Sequence, residues 1–231
     1  YADAEADPIY LVRSLWSMTP HIEYRRASWL ANASMPVHVL TETGNGPQWT
    51  EPGDTRMSVG RIFADRNEKP IGMALTSTVM LPTGNESAWL GRSSMRAGAM
   101  GHFTAGRDAL LAAAIGLETG STEELPGVTL GSDLVWKVGG SLPLAPHHRV
   151  SAEIDSNHGL NSLLKTGSSP IEASTHWHWA LNPHWAASLG AATALTKGIG
   201  SPKYRIVAGI RRASFHSGKT NTNPIPASAT T

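Results

Sequence analysis

The sequence predicts an all-β fold, an antiparallel up-and-down transmembrane β-barrel. Three observations carry that prediction. Apolar residues recur at every second position through eleven separate stretches of the chain, the period of a strand with one face in an apolar medium. The connections between those stretches alternate short and long, as do the short periplasmic turns and long outer loops of bacterial barrels. No apolar run approaches the ~18 residues of a membrane-crossing helix, and a mean hydropathy of −0.19 is no obstacle, because a barrel shows lipid only alternate residues.

In chain order, residues 15–25 place Trp16, Met18, Ile22 and Tyr24 on one face against Ser17, Thr19, His21, Glu23 and Arg25. Residues 29–40 follow, with Trp29, Ala31, Ala33, Met35, Val37 and Val39 outward and Asn32, Ser34 and His38 inward. Residues 41–53, rich in Gly, Pro and polar side chains, are expected to form a loop. Residues 55–64 are the third strand, where Arg61 interrupts an outer face of Met57, Val59 and Phe63. Residues 71–81 alternate most clearly, and 82–92 form the next long loop.

Residues 95–103 and 109–117 pair through a tight turn, and 119–127 are again loop. Residues 128–138 and 149–155 are strands joined by a connection at 139–147. After a loop at 157–169 comes the hairpin PIEASTHWHWAL, NPH, WAASLGAATAL, with its turn at Asn182 and Pro183. Residues 204–215 are the last strand, with Tyr204, Ile206, Ala208 and Ile210 on its apolar face. Bacterial single-chain barrels close with an even number of strands. Eleven complete strands therefore imply twelve, the missing one upstream and ending near residues 1–5. The barrel is assigned to residues 1–216, and 217–231 to a Pro-, Ser- and Thr-rich periplasmic linker.

Composition narrows the function. A net charge of +1 with no cluster of Lys or Arg along the chain provides no field for nucleic acid, which is not expected as a partner. The absence of cysteine excludes a disulfide scaffold and Cys-ligated zinc. A soluble β-sandwich or lipocalin-like barrel would bury the Trp-rich faces. It would then turn Ala, Gly and Ser to water, where surfaces normally carry Lys and Glu.

The inward set expected in the lumen comprises Glu23, Arg25, Arg96, Asp133, Lys137, Arg149, Glu153, Asp155, Glu172, Arg205 and Arg211. Charges of both signs in a narrow interior must pair or stay wet. His176 and His178, two apart on one face, are expected in the lumen wall. That spacing can chelate a transition metal, and His147 and His148 add imidazoles, but sequence places no third ligand, so neither metal nor cofactor is expected. His38, His102 and His158 are the candidate bases for an enzyme. None lies near a G-x-S-x-G nucleophile motif, and no catalytic residue is assigned. The GKT at 218–220 lacks the rest of a phosphate loop. Trp29, Trp177, Trp179 and Trp185 lie beside short turns, as expected of the periplasmic aromatic girdle.

At LPTGNESAWLG (81–91) and GIGSPKYRIVAGIR (198–211), the chain resembles the N-terminal barrel of OmpA-type Gram-negative outer-membrane proteins. In that group a linker and a periplasmic peptidoglycan-binding domain follow the barrel. Phe215 sits where barrel last strands tend to end in an aromatic. The resemblance implies location in the cell outer membrane and contact with its lipid and lipopolysaccharide. It further implies peptidoglycan as a partner through a domain beyond this sequence, and other envelope proteins. The expected function is an anchor that tethers the envelope, with a narrow porin for small solutes as the alternative and an outer-membrane hydrolase as the second.

Overall fold

A computed structural model describes residues 12–43, 46–66, 69–84, 93–125, 128–160, 170–196 and 203–212. The upstream strand end at 1–5, Phe215, the linker, and most of LPTGNESAWLG lie outside those residues. The described chain is all-β. In order it forms β1 (Val12–Met18), β2 (His21–Arg26), β3 (Trp29–Ser34), β4 (Val37–Thr43), β5 (Gly46–Pro52) and β6 (Thr55–Ala64). Then come β7 (Ile71–Leu81), β8 (Arg96–Ala105), β9 (Leu110–Thr119), and the short pair β10 (Glu123–Leu125) and β11 (Val128–Leu130). The remainder are β12 (Asp133–Ala145), β13 (His148–Gly159), β14 (Ile171–Asn182), β15 (Trp185–Ala194) and β16 (Tyr204–Arg212).

Eleven strands make one antiparallel sheet in the order β16-β15-β14-β13-β12-β9-β8-β7-β6-β3-β2. Neighbours in the sheet are neighbours in sequence once β4, β5, β10 and β11 are set aside, so the topology is a meander. At one end the wall strands are joined by two to six residues, at the other by nine to twenty. Local chemistry shapes the short turns. Asn182 accepts hydrogen bonds through Oδ1 from the His184 amide (2.9 Å) and the Trp185 amide (3.0 Å), an Asx turn that reverses the chain at Pro183.

Several expected boundaries are corrected. The first two strands each break at a proline, at Thr19-Pro20 and Met35-Pro36, because a proline ring has no N–H to donate to the ladder. Residues 41–53 are not loop throughout: they complete β4 and form β5. With β1 these make a second sheet, β1-β4-β5, which continues β2, β3 and β6 beyond the break. The three breaks lie in register, since the Met35 amide donates to the Pro20 carbonyl (3.3 Å) and the Gly53 amide to that of Pro36 (2.8 Å). Residues 139–147 are strand to Ala145, β13 runs on to Gly159, and 128–138 divides into β11 and β12.

The two faces of the large sheet are sorted opposite to a water-soluble core. Along β7, Ile71, Met73, Leu75 and Val79 are exposed while Gly72 and Thr76 are buried. Buried apolar side chains among the described residues are only Leu110, Val135 and Ala192. The sheet curls toward its polar face. Arg56 on β6 donates to Glu118 on β9 at 2.8 Å, although a flat sheet would hold those strands, three apart, at about 14 Å.

Candidate functional site

The concave face carries the charges that parity assigned to it, and most are paired. At its long-loop end, Arg96 Nη2 donates to Asp133 Oδ2 (2.5 Å) and to the Gly131 carbonyl (3.0 Å), while Nη1 lies 3.5 Å from Glu118. Glu118 also takes Arg56. The result is a continuous chain Arg56–Glu118–Arg96–Asp133 across β6, β9, β8 and β12. Its central guanidinium is 6% exposed, so it holds its carboxylates away from bulk water, where pairing is strongest.

Further along, Arg205 reaches over β15 to Glu172 at 2.9 Å. The residue paired with Arg205 on β15 is Ala192, small enough to leave that path open. Lys137 stands 3.6 Å from Glu153, with Asp155 opposite it in the ladder. Near the short turns Arg149 donates to Ser141 (2.8 Å) and to the Asp108 carbonyl (3.2 Å). Arg25 pairs with Asp65, Glu23 lies 3.9 Å from His21, and Arg211 is exposed at the end of β16.

His176 and His178 are on this concave wall with their rings stacked 5.9 Å apart. His178 shares a 3.0 Å hydrogen bond with Ser151. His176 stands over Gly190, where a Cβ would come within 2.2 Å of its Nδ1. Among the described residues no three His, Cys, Asp or Glu side chains converge as a metal site.

The candidate bases are held in different ways. His102 shares a 2.9 Å hydrogen bond with Thr76. His158 is 3.2 Å from Ser156 Oγ, but Ser156 is 2% exposed and donates to the Pro170 carbonyl at 2.6 Å. That hydroxyl is thus buried and its proton engaged by a backbone carbonyl. His38 lies in the extension sheet, 8% exposed, with no hydrogen-bond partner for Nδ1 among the described residues. A Cβ on Gly53 would sit 2.6 Å from His38 Nε2 and from the Pro36 ring, which is why the third break falls at glycine.

Burial holds the His38 imidazole below the usual histidine range, against the opposing pull of Asp54. The unfolded chain therefore takes up a proton at higher pH than the folded one. This contribution to stability is complete above about pH 6.5 and is lost as pH falls below it. Amide exchange in β4, corrected for the intrinsic rate, is expected to accelerate on going from about pH 7 to about pH 5. His38→Phe should flatten that dependence, and an unchanged dependence would remove His38 as its cause.

Trp29, Trp177, Trp179 and Trp185 stand beside short turns on the convex face, whereas Trp136 lies near the long-loop end of β12, stacked on His158. Trp177 and Trp179 meet edge to face at 5.9 Å, and Trp177 Nε1 donates to His148 Nδ1 at 3.2 Å. Arg61 lies over Trp29 and Arg212 over Trp185, each 5.8 Å from the ring centroid. These pairs account for the arginine that interrupts the outer face of β6.

Sequence reasoning passed over Arg56 and Glu118. The signal for Arg56 was present, because it shares parity with inward Ser58; Glu118 fell just beyond the expected end of its strand. No protein-family model and no curated protein matches the chain.

Proposed function

We propose that the chain is the membrane-spanning barrel of an outer-membrane anchor, with its convex face in lipid and its interior closed by ion pairs. The observation that carries this reading is the inverted sorting of the faces. Large apolar side chains such as Ile115 (60% exposed), Phe103 (43%) and Ile206 (75%) form the outer surface, while Arg96 and Thr76 are buried. In water, so much exposed hydrocarbon would drive association; in a bilayer it is the matched surface.

Closure with a twelfth strand is supported by the geometry of the edges. In an eleven-stranded antiparallel meander the edge strands β2 and β16 run in the same direction. Among the described residues no ladder joins them, and one antiparallel strand between them would complete the alternation. The short-turn end then faces the periplasm, and the extension sheet β1-β4-β5 stands on the outer side. On this reading the OmpA-type arrangement, tethering to peptidoglycan through a further domain, is the role proposed for the whole protein.

A closed anchor is favoured over a narrow porin by the Arg56–Glu118–Arg96–Asp133 chain, which crosses the concave face at the long-loop mouth. Single-channel recording in planar bilayers tests the choice. The refolded protein is expected to give no stable conductance, and reproducible ohmic steps would convert the reading to a porin. Heat-modifiable gel migration tests the barrel itself.

A further inference from the structure

The convex face is not uniform. Across β2, β3, β6 and β7 the ladders align two rows on that face, Ile22–Ala33–Met57–Val79 and Tyr24–Ala31–Val59–Ser77. The small residues Ala31, Ala33 and Ser77 sit among much larger ones, and an almost wholly apolar groove of about 620 Å³ opens there. The next row toward the short turns is Arg26–Trp29–Arg61. Two exposed guanidinium groups thus flank one indole at the end of an apolar groove, with Arg61 lying over the ring.

No ion pair engages Arg26 or Arg61 among the described residues. Asp65, just past the end of β6, pairs with Arg25, whose side chain belongs to the opposite face. The overall charge of +1 conceals this local excess. It stands at the level where the Trp cluster would meet the membrane interface.

We infer that this is a binding site for an anionic phospholipid of the leaflet at the short-turn end, its phosphate between Arg26 and Arg61 and one acyl chain in the groove above. The inference rests on the membrane reading given above. Hydrocarbon is the matching occupant of a groove with so little polar lining. A phosphate is the matching partner of two guanidinium groups, whose N–H donors suit its oxygens. Trp29 holds one of those groups by its flat face and leaves its edge donors free.

The test uses the refolded full chain in detergent, offered equal amounts of phosphatidylglycerol and phosphatidylcholine, with retained lipids counted by native mass spectrometry. The wild type is expected to retain phosphatidylglycerol in preference. Removing one cation at a membrane surface lowers such a preference about fivefold, so Arg26→Gln and Arg61→Gln should each lower it by that factor. Ala33→Phe, which fills the groove, should reduce the number of lipids retained. Arg212→Gln, the same Arg–Trp arrangement on β16, should leave the preference intact. Equal retention of both lipids by the wild type would overturn the site, as would an equal loss in Arg212→Gln. Gel migration of the same samples separates the two failures: a barrel that folds but shows no preference refutes the site alone. A wild type that does not fold in detergent or vesicles refutes the membrane reading and the site with it.

Discussion

Arg96→Met should destabilise the protein by about 3–5 kcal/mol, the cost of removing one member of a buried ion pair and leaving its partners charged. The expectation follows from the position of the guanidinium. It is 6% exposed and faces Asp133 and Glu118, which are 14% and 12% exposed. Methionine matches the length of the stem but leaves two carboxylates facing each other across the vacated space. Reversible urea unfolding in lipid vesicles, comparing midpoints and slopes, reads the effect. The size of the loss also reports on the interior. If water reached these groups freely, the pairs would contribute only about 0–1 kcal/mol, and a change that small would contradict a closed mouth. The same variant in planar bilayers should show conductance steps that the wild type lacks.

The second large effect concerns a residue that touches little. Ile115, at the middle of β9, is 60% exposed on the convex face. On a water-facing surface, Ile115→Arg would change stability by no more than about 0.5 kcal/mol. At the middle of a bilayer the same substitution costs about 2–4 kcal/mol. A measured loss near the upper range, together with a small effect of Arg61→Gln near the short turns, is the depth profile expected of a barrel wall. No penalty at Ile115 would contradict lipid on that face.

Much of the wall was legible in the sequence because its cause is local. The alternation from Ile71 to Leu81 requires only that one face meet an apolar medium. The β14–β15 hairpin was readable from its alternation and from Asn182 and Pro183. The breaks at Pro20 and Pro36 escaped because side-chain parity runs straight through them: Met18, Ile22 and Tyr24 stay in phase although the ladder does not. Gly139 and Gly140 suggested a loop, yet they lie within β12. A Cβ at Gly139 would come within 2.6 Å of the Ala152 carbonyl, so there the glycine fits a close approach of strands. The ion-pair chain was half legible. Parity gives the face of a charge, but Arg56 meets Glu118 only because the sheet curls, and curvature is a property of all eleven strands together.

The aligned interruptions at Pro20, Pro36 and Gly53 make each of the first three wall strands and its extension share one covalent segment without sharing one ladder. Cooperativity is carried by ladders and packing, not by covalent continuity, so chain and folding unit part company at this line. Limited proteolysis is consequently expected to cut the β4–β5 hairpin while β2, β3 and β6, paired in their own ladders, stay protected from amide exchange.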